Sequence, residues 1–220
     1  MDLSGKRLTL SFDNGPFPDV TPGVLDALRE RDLRASFFVC GKDAAAPEQR
    51  ELIERARSEG HLVGNHTLTH TIELGTTNDP SVAEAEIGQA QDALGDLCEP
   101  ERWFRPYGGG GIIGPKLLSR SALDYVREGE YSVVLWNSVP RDWEEPDTWP
   151  ERAIGDIAAQ DWTLVVLHDA PTGAMKALPG LLDAALESGV EIVQEFPPEC
   201  VPVLRGVVRQ EMAAFVADAN

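Results

Sequence analysis

Cysteine is scarce and scattered in this chain: Cys40, Cys98 and Cys200 are far apart, odd in number and free of any C-x-x-C pairing. Neither a disulfide framework nor a zinc knuckle can organise the fold on that basis, and the three read as free thiols in a reducing compartment. Basic residues are also few, 19 Lys and Arg against 37 Asp and Glu, which leaves a formal charge of −18. Such an excess repels phosphate backbones and anionic bilayers, so it argues against nucleic acid or a membrane surface as partner. A solubilising surface is enough to account for it. No apolar run is long enough to span a bilayer, and Met1 to Arg7 lacks the apolar stretch of an export signal, so a cytoplasmic protein is expected. Low-complexity segments, internal repeats and interdomain linkers are absent as well, and 220 residues suffice for one sizeable core.

What is present is alternation. The runs Arg7 to Phe12, Ala35 to Cys40, His61 to Asn65, Tyr131 to Trp136, Thr163 to His168 and Val190 to Val193 are apolar and rich in β-branched residues, as strands are. Between them, Val20 to Arg31, Pro47 to Ser58, Pro80 to Leu94, Pro115 to Val126, Pro150 to Ala159 and Lys176 to Glu187 carry apolar residues at helical spacing, several with proline near the first turn. Strand followed by helix, repeated, predicts parallel strands joined by helical crossovers in an α/β domain. Periodicity leaves barrel and open sheet as alternatives. No glycine fingerprint for a dinucleotide follows the first strand, which weakens the open nucleotide-binding sheet. We expect one domain over residues 1–196 and an extension over 197–220, proline-rich and then helix-like, packed on the domain or frayed.

The less common polar residues gather just after strands, the edge where parallel α/β folds build their sites. Asp13 and Asn14 end the first run, His66 and His70 follow the third, and Arg105 to Gly108 lie in a turn. Asp142 and Trp143 follow the Tyr131 run, and His168 and Asp169 end the Thr163 run. The histidines of His66-Thr67-Leu68-Thr69-His70 stand four apart, the spacing that lets both face one ion from a single helical turn. Alone such a pair is weak, since two histidines at this distance are more often solvated surface. His61 reads as a structural histidine, and Trp136, Trp149 and Trp162 read as packing. Gly108 to Gly111 lacks the lysine and Ser/Thr pair of a phosphate loop.

In order, the chain presents Ser11-Phe12-Asp13-Asn14-Gly15-Pro16, His66-Thr67-Leu68-Thr69-His70, Phe104-Arg105-Pro106-Tyr107-Gly108, Arg141-Asp142-Trp143 and Val166-Leu167-His168-Asp169. These five segments resemble the five motifs of the polysaccharide deacetylases, carbohydrate esterase family 4, and the likeness runs as far as Phe196. It implies a distorted parallel (β/α) barrel of about seven strands, a divalent metal at the strand ends, often zinc with cobalt or another ion as alternatives, and hydrolysis of an N-acetyl group. By the same resemblance Asp13 is the general base and Arg105 its charge partner. The backbone N–H of Tyr107 faces the developing oxyanion. His168 is the general acid, oriented by Asp142, while Trp143 and Val166, where the family usually has leucine, form a slot for the acyl methyl. His66, His70 and the residue at position 14 hold the metal.

Position 14 departs from the pattern: the family has a second aspartate there, and this chain has Asn14. Two neutral imidazoles and an amide leave the divalent charge less compensated, and affinity should fall at least as far as when an outer partner is lost, roughly tenfold to a hundredfold. Val139 also replaces an aspartate common in the family, and Pro140 stiffens that loop. Three functions follow as expectations. The first is a metal-dependent hydrolase of N-acetylated sugars or related small amides, with a small-molecule or oligosaccharide substrate. The second is a glycan- or acyl-binding barrel without catalysis, its metal site weakened by Asn14. The third is C–N hydrolysis of a non-sugar amide. Two proton-transfer residues with their tuning partners favour the hydrolase.

Overall fold

The computed structural model describes residues 2–217. It opens on β1 (Arg7–Asp13), buried along its length beyond a half-exposed Arg7, as expected of a parallel strand covered on both faces. The remaining strands are β2 (Ser36–Val39), β3 (Leu62–Asn65), β4 (Trp103–Phe104), β5 (Ser132–Val133), β6 (Trp162–His168), β7 (Glu191–Val193), β8 (Val203–Leu204) and β9 (Val207–Val208). The helices are α1 (Thr21–Arg29), α2 (Pro47–Ser58), α3 (Pro80–Ala83), α4 (Gln89–Leu94), α5 (Arg120–Glu128), α6 (Trp149–Ala159) and α7 (Leu178–Glu187). Proline stands in the first turn of α1, α2, α3, α6 and α7, where its missing N–H forfeits no helical bond.

The sheet runs β6-β1-β2-β3-β4-β5-β8-β9. Every pairing from β6 to β5 is parallel, and β8 and β9 add an antiparallel hairpin. β1 shares one edge between two partners, β7 along Arg7 to Thr9 and β2 along Ser11 to Asp13. A single parallel bridge between Ser138 and Val165 links the loop after β5 back to β6. The barrel expected from the resemblance is therefore present in distorted form, closed by one bridge instead of a full ladder.

The largest apolar cluster joins β1 to α1, α2, α6 and α7, with Phe12, Leu25, Leu28, Ile53, Trp149 and Leu182 within it. Trp149 is fully buried and donates its Nε1–H to the Ala174 carbonyl at 3.0 Å. Trp162 donates to Thr9 Oγ1 at 2.9 Å and lies under the Arg7 guanidinium, so both act in packing. No helix among the described residues is long and apolar enough to cross a membrane.

Four local expectations need correction. β4 was absent from the sequence reading, because two residues are too few to show a period. The helix expected from Pro115 begins only at Arg120, where the Ser119 hydroxyl accepts the Ala122 N–H at 3.2 Å and caps the first turn. The stretch Pro80 to Leu94 contains a wide π turn over Glu84–Gly88 between α3 and α4. Finally, the described part of the tail holds no α-helix: it makes a short 3-10 turn over Pro198–Cys200 and the β8–β9 hairpin, and Met212, Phe215 and Val216 pack against an apolar cluster that includes Phe104, Leu118 and Val133. The last three residues of the expected extension lie outside the described ones.

Candidate functional site

The parallel register gathers the polar residues at one rim. Asp13 pairs in register with His168 and with Phe38. Asn65 pairs with Phe104, so His66 and Arg105 leave neighbouring strands side by side. A cavity of about 300 Å³ opens there, lined by Asp13, Asn14, His66, His70, Tyr107, Gly108, Gly110, Gly111, Trp136, Val139, Trp143, Val166, His168 and Ala170. Arg105 and Asp142 stand behind its wall, both fully buried. All ten residues singled out from the sequence thus reach one site.

The Asp13 carboxylate is almost wholly out of solvent. Arg105 Nη1 donates to its Oδ1 at 2.7 Å and to Ser11 Oγ at 2.8 Å. Burial alone would push the Asp13 pKa up, but the Arg105 guanidinium, with smaller contributions from the neighbouring His66 and His168, outweighs it and holds the carboxyl below its ordinary range. The guanidinium is held in turn over the Phe38 ring, 4.0 Å from its centroid.

His168 is built as the opposite case. Asp142 accepts from the His168 backbone N–H at 2.8 Å and lies 2.9 Å from Nδ1, which fixes the ring and directs Nε2 away from the carboxylate. Burial disfavours the imidazolium, yet the Asp142 hydrogen bond and charge prevail, and the pKa is raised above the ordinary 6.5. Trp143 packs edge-on against the ring at 4.8 Å. One rim therefore carries a carboxylate biased toward ionisation and an imidazole biased toward protonation, the division of labour an acid–base pair needs.

His66 and His70 do not share a helical turn, contrary to the spacing argument. They lie on an irregular loop after β3 in which Thr67 and His70 take positive φ, 64° and 57°, and that loop brings the ring centroids to 4.8 Å. The His66 Nδ1 lies 2.8 Å from the Arg105 carbonyl, and a carbonyl can only accept, so the proton sits on Nδ1 and Nε2 offers its lone pair. That lone pair stands 3.5 Å from Asp13 Oδ2. Burial lowers the pKa of both histidines, that of His70 to about 3, so at neutral pH two acceptors face each other without a proton between them.

A cation fits such a place. His66 Nε2, the neutral His70 ring and the Asn14 side-chain oxygen, which is buried and without a hydrogen-bond partner, are the donors that could hold a divalent ion of the zinc type. Among the described residues there is no group of three or more His, Cys, Asp or Glu suited to a metal; the third donor here is an amide.

The Tyr107 ring lies tilted against that of His70, with centroids 4.2 Å apart, and among the described residues its backbone N–H donates to no backbone carbonyl. Trp143 and Val166 form part of the cavity wall. Trp136, read from the sequence as packing, also lines the cavity and anchors the glycine loop through Nε1–H to the Gly111 carbonyl at 3.0 Å. Its place at the rim end of an apolar run was the signal that could have revealed it. Asp169 lies beneath the rim, fully buried, with Thr21 Oγ1 donating to it and burial raising its pKa to about 6. A side chain at Gly15 would collide with that carboxylate, so this position in the rim loop requires glycine.

Residues 1–132 match the profile of the polysaccharide deacetylases, more than half of the 220 residues. The chain belongs to the polysaccharide deacetylase family. Within that family, the chitooligosaccharide deacetylase of Bradyrhizobium sp. (strain ANU 289) is 34% identical over 211 residues, covering 87% of this chain and 90% of the relative. A peptidoglycan-N-acetylglucosamine deacetylase of Bacillus cereus is 29% identical over 168 residues, covering 74% of this chain and 73% of the relative. Among solved structures, peptidoglycan deacetylase PdaC from Bacillus subtilis aligns with a TM-score of 0.67 at 28% identity, over 88% of this chain and 89% of that one. The family 4 carbohydrate esterase from Streptomyces lividans shares the fold at 24% identity, with a TM-score of 0.70 over 97% and 98% of the two chains.

Proposed function

We propose that this chain hydrolyses the acetamide of an N-acetylated amino sugar within an oligosaccharide, releasing acetate and a free amine. The observation that carries this reading is the pairing of Asp13, held ionised by Arg105, with His168, held protonatable by Asp142, across one small cavity. A pure binding site has no use for two oppositely tuned proton carriers, which favours turnover over the glycan-binding alternative. The named activities of the relatives support the substrate class.

In the proposed sequence Asp13 takes the proton from an attacking water. The Tyr107 N–H donates to the acyl oxygen as negative charge builds on it, where a preset donor is most effective. His168 then delivers a proton to the departing nitrogen, and the acyl methyl lies against Trp143 and Val166. A divalent cation held by His66, His70 and Asn14 would supply Lewis acidity and acidify the water.

The test is release of primary amine from an N-acetylglucosamine oligomer, followed across pH with and without a chelator. We expect turnover that a chelator removes and zinc or cobalt restores. Because Asp13 is held below its ordinary range, its titration should leave activity intact through mildly acidic pH. The alkaline fall should track His168 and lie above pH 6.5, and Asp142→Asn should move that fall to lower pH. The stability linkage has the same sign: the contribution of a raised His168 is complete below its unfolded value and is lost as pH rises through the folded one. No amine under any cation would instead support the binding barrel.

A further inference from the structure

A buried carboxylate outside the ten site residues stands behind the histidine loop. Glu86 lies in the π turn Glu84–Gly88, on the same side as the buried Ala83, Ile87 and Ala90, and is 3% exposed. Its Oε2 accepts the Thr69 backbone N–H at 3.0 Å, and its Oε1 accepts the Thr69 hydroxyl at 2.7 Å. Among the described residues these are its only hydrogen bonds, and no cation pairs with it. A carboxylate is costly to bury in such a setting unless its hydrogen bonds are specific. Here both go to one residue, the one immediately before His70.

Around that residue the loop is held at several points. Lys42 Nζ donates to the Thr69 carbonyl at 3.3 Å. Asn65 accepts the Thr67 N–H on its Oδ1 at 2.9 Å and donates through Nδ2 to the Ile87 carbonyl, also at 2.9 Å, within the same π turn. Positive φ at Thr67 and His70 is unfavourable for non-glycine residues and persists only where the surroundings over-determine it. The π turn, a feature that recurs at functional sites, supplies that determination.

We propose that Glu86 is a positioning residue: acting through Thr69, it fixes the His70 imidazole against His66 and so sets the spacing of the pair. The inference rests on reading that pair as the cation-holding one, but its test separates the two. Glu86→Met removes both acceptors at nearly unchanged size; Gln would not, because its amide can accept the Thr69 N–H and donate to the Thr69 hydroxyl, whose proton can turn to Thr71 Oγ1 at 2.7 Å. Thr69→Val removes the hydroxyl anchor alone.

The experiment reads histidine ring resonances by NMR in the full chain without added metal, cobalt(II) affinity by calorimetry, and the melting temperature. Only four histidines need assignment. Expected are shifted or broadened His70 ring signals in Glu86→Met and in Thr69→Val, unchanged His61 and His168 signals, and cobalt affinity lower by about tenfold, as for lost outer partners of ligating histidines. The added effect of Glu86→Met should shrink in the Thr69→Val background, where one of the two anchors is already gone. If Glu86→Met does not fold, the His70 shift in Thr69→Val carries the test. Unchanged His70 signals and unchanged cobalt affinity, with only a lower melting temperature, would overturn the proposal. A native protein that fails to bind cobalt while the variants still move His70 selectively would sustain the positioning role and remove the cation reading.

Discussion

Asp13→Asn should abolish measurable turnover and lower the melting temperature together, for two separable reasons. Loss of the general base removes a contribution of roughly 10²- to 10⁴-fold to rate. The same change strips the charge partner from Arg105, whose guanidinium is fully buried and would keep only neutral acceptors: the new amide oxygen, Ser11 Oγ at 2.8 Å and, at a long 3.4 Å, the Val134 carbonyl. Breaking a buried ion pair from one side typically costs about 3–5 kcal/mol. At about 2–4 °C per kcal/mol for a chain of this size, the melting temperature should fall by roughly 6–20 °C. The double variant Asp13→Asn/Arg105→Met, which removes both charges, should recover much of the stability and none of the turnover. Turnover that returned with the melting temperature would show that Asp13 serves only the fold.

The second large effect is a gain. Asn14→Asp should raise affinity for zinc or cobalt by at least about tenfold to a hundredfold, since an inner carboxylate is worth no less than the outer partners for which that range is known. The backbone can accept the change. Asn14 sits at φ 77° with its N–H donating to the Phe38 carbonyl at 3.2 Å, and aspartate is among the few residues that tolerate this region. Without metal the new carboxylate lies next to Asp13 and should lower stability by like-charge repulsion. With metal the order should reverse: at a free cation concentration of about 100 times Kd the bound state gains about 2.7 kcal/mol. A melting curve for each protein, with and without cobalt, reads the crossover. Equal cobalt response in the two proteins would mean that position 14 does not touch the ion.

The site was more legible than the scaffold, and the reason is physical. A chemically active side chain at a strand end needs only to follow an apolar run, and Asp13, His66 and His168 each do so. What the sequence could not convey was geometry carried by a few dihedral angles. The His66 to His70 loop reads as a helical turn by spacing, but positive φ at Thr67 and His70 bends it otherwise. β4, β8 and β9 are two residues long each, a length at which alternation carries no information. Trp136 suggests packing by residue type, whereas its position at the rim decides its role. Glu86 gives no signal by residue type, because an acid in an amphipathic segment is expected to face water. Its spacing of three from Ala83 and four from Ala90, both buried, places it on the apolar stripe instead, and an acid there signals a specific partner.

Turnover at this rim needs an acyl group seated between Asp13 and His168, and a crystal soaked in acetate, the expected product, tests this most directly. Acetate should bind with one carboxylate oxygen on His168 and the other within reach of the Tyr107 N–H, and with its methyl against Trp143 and Val166. Acetate bound elsewhere on the molecule, or turned with its methyl toward His66 and His70, would contradict it.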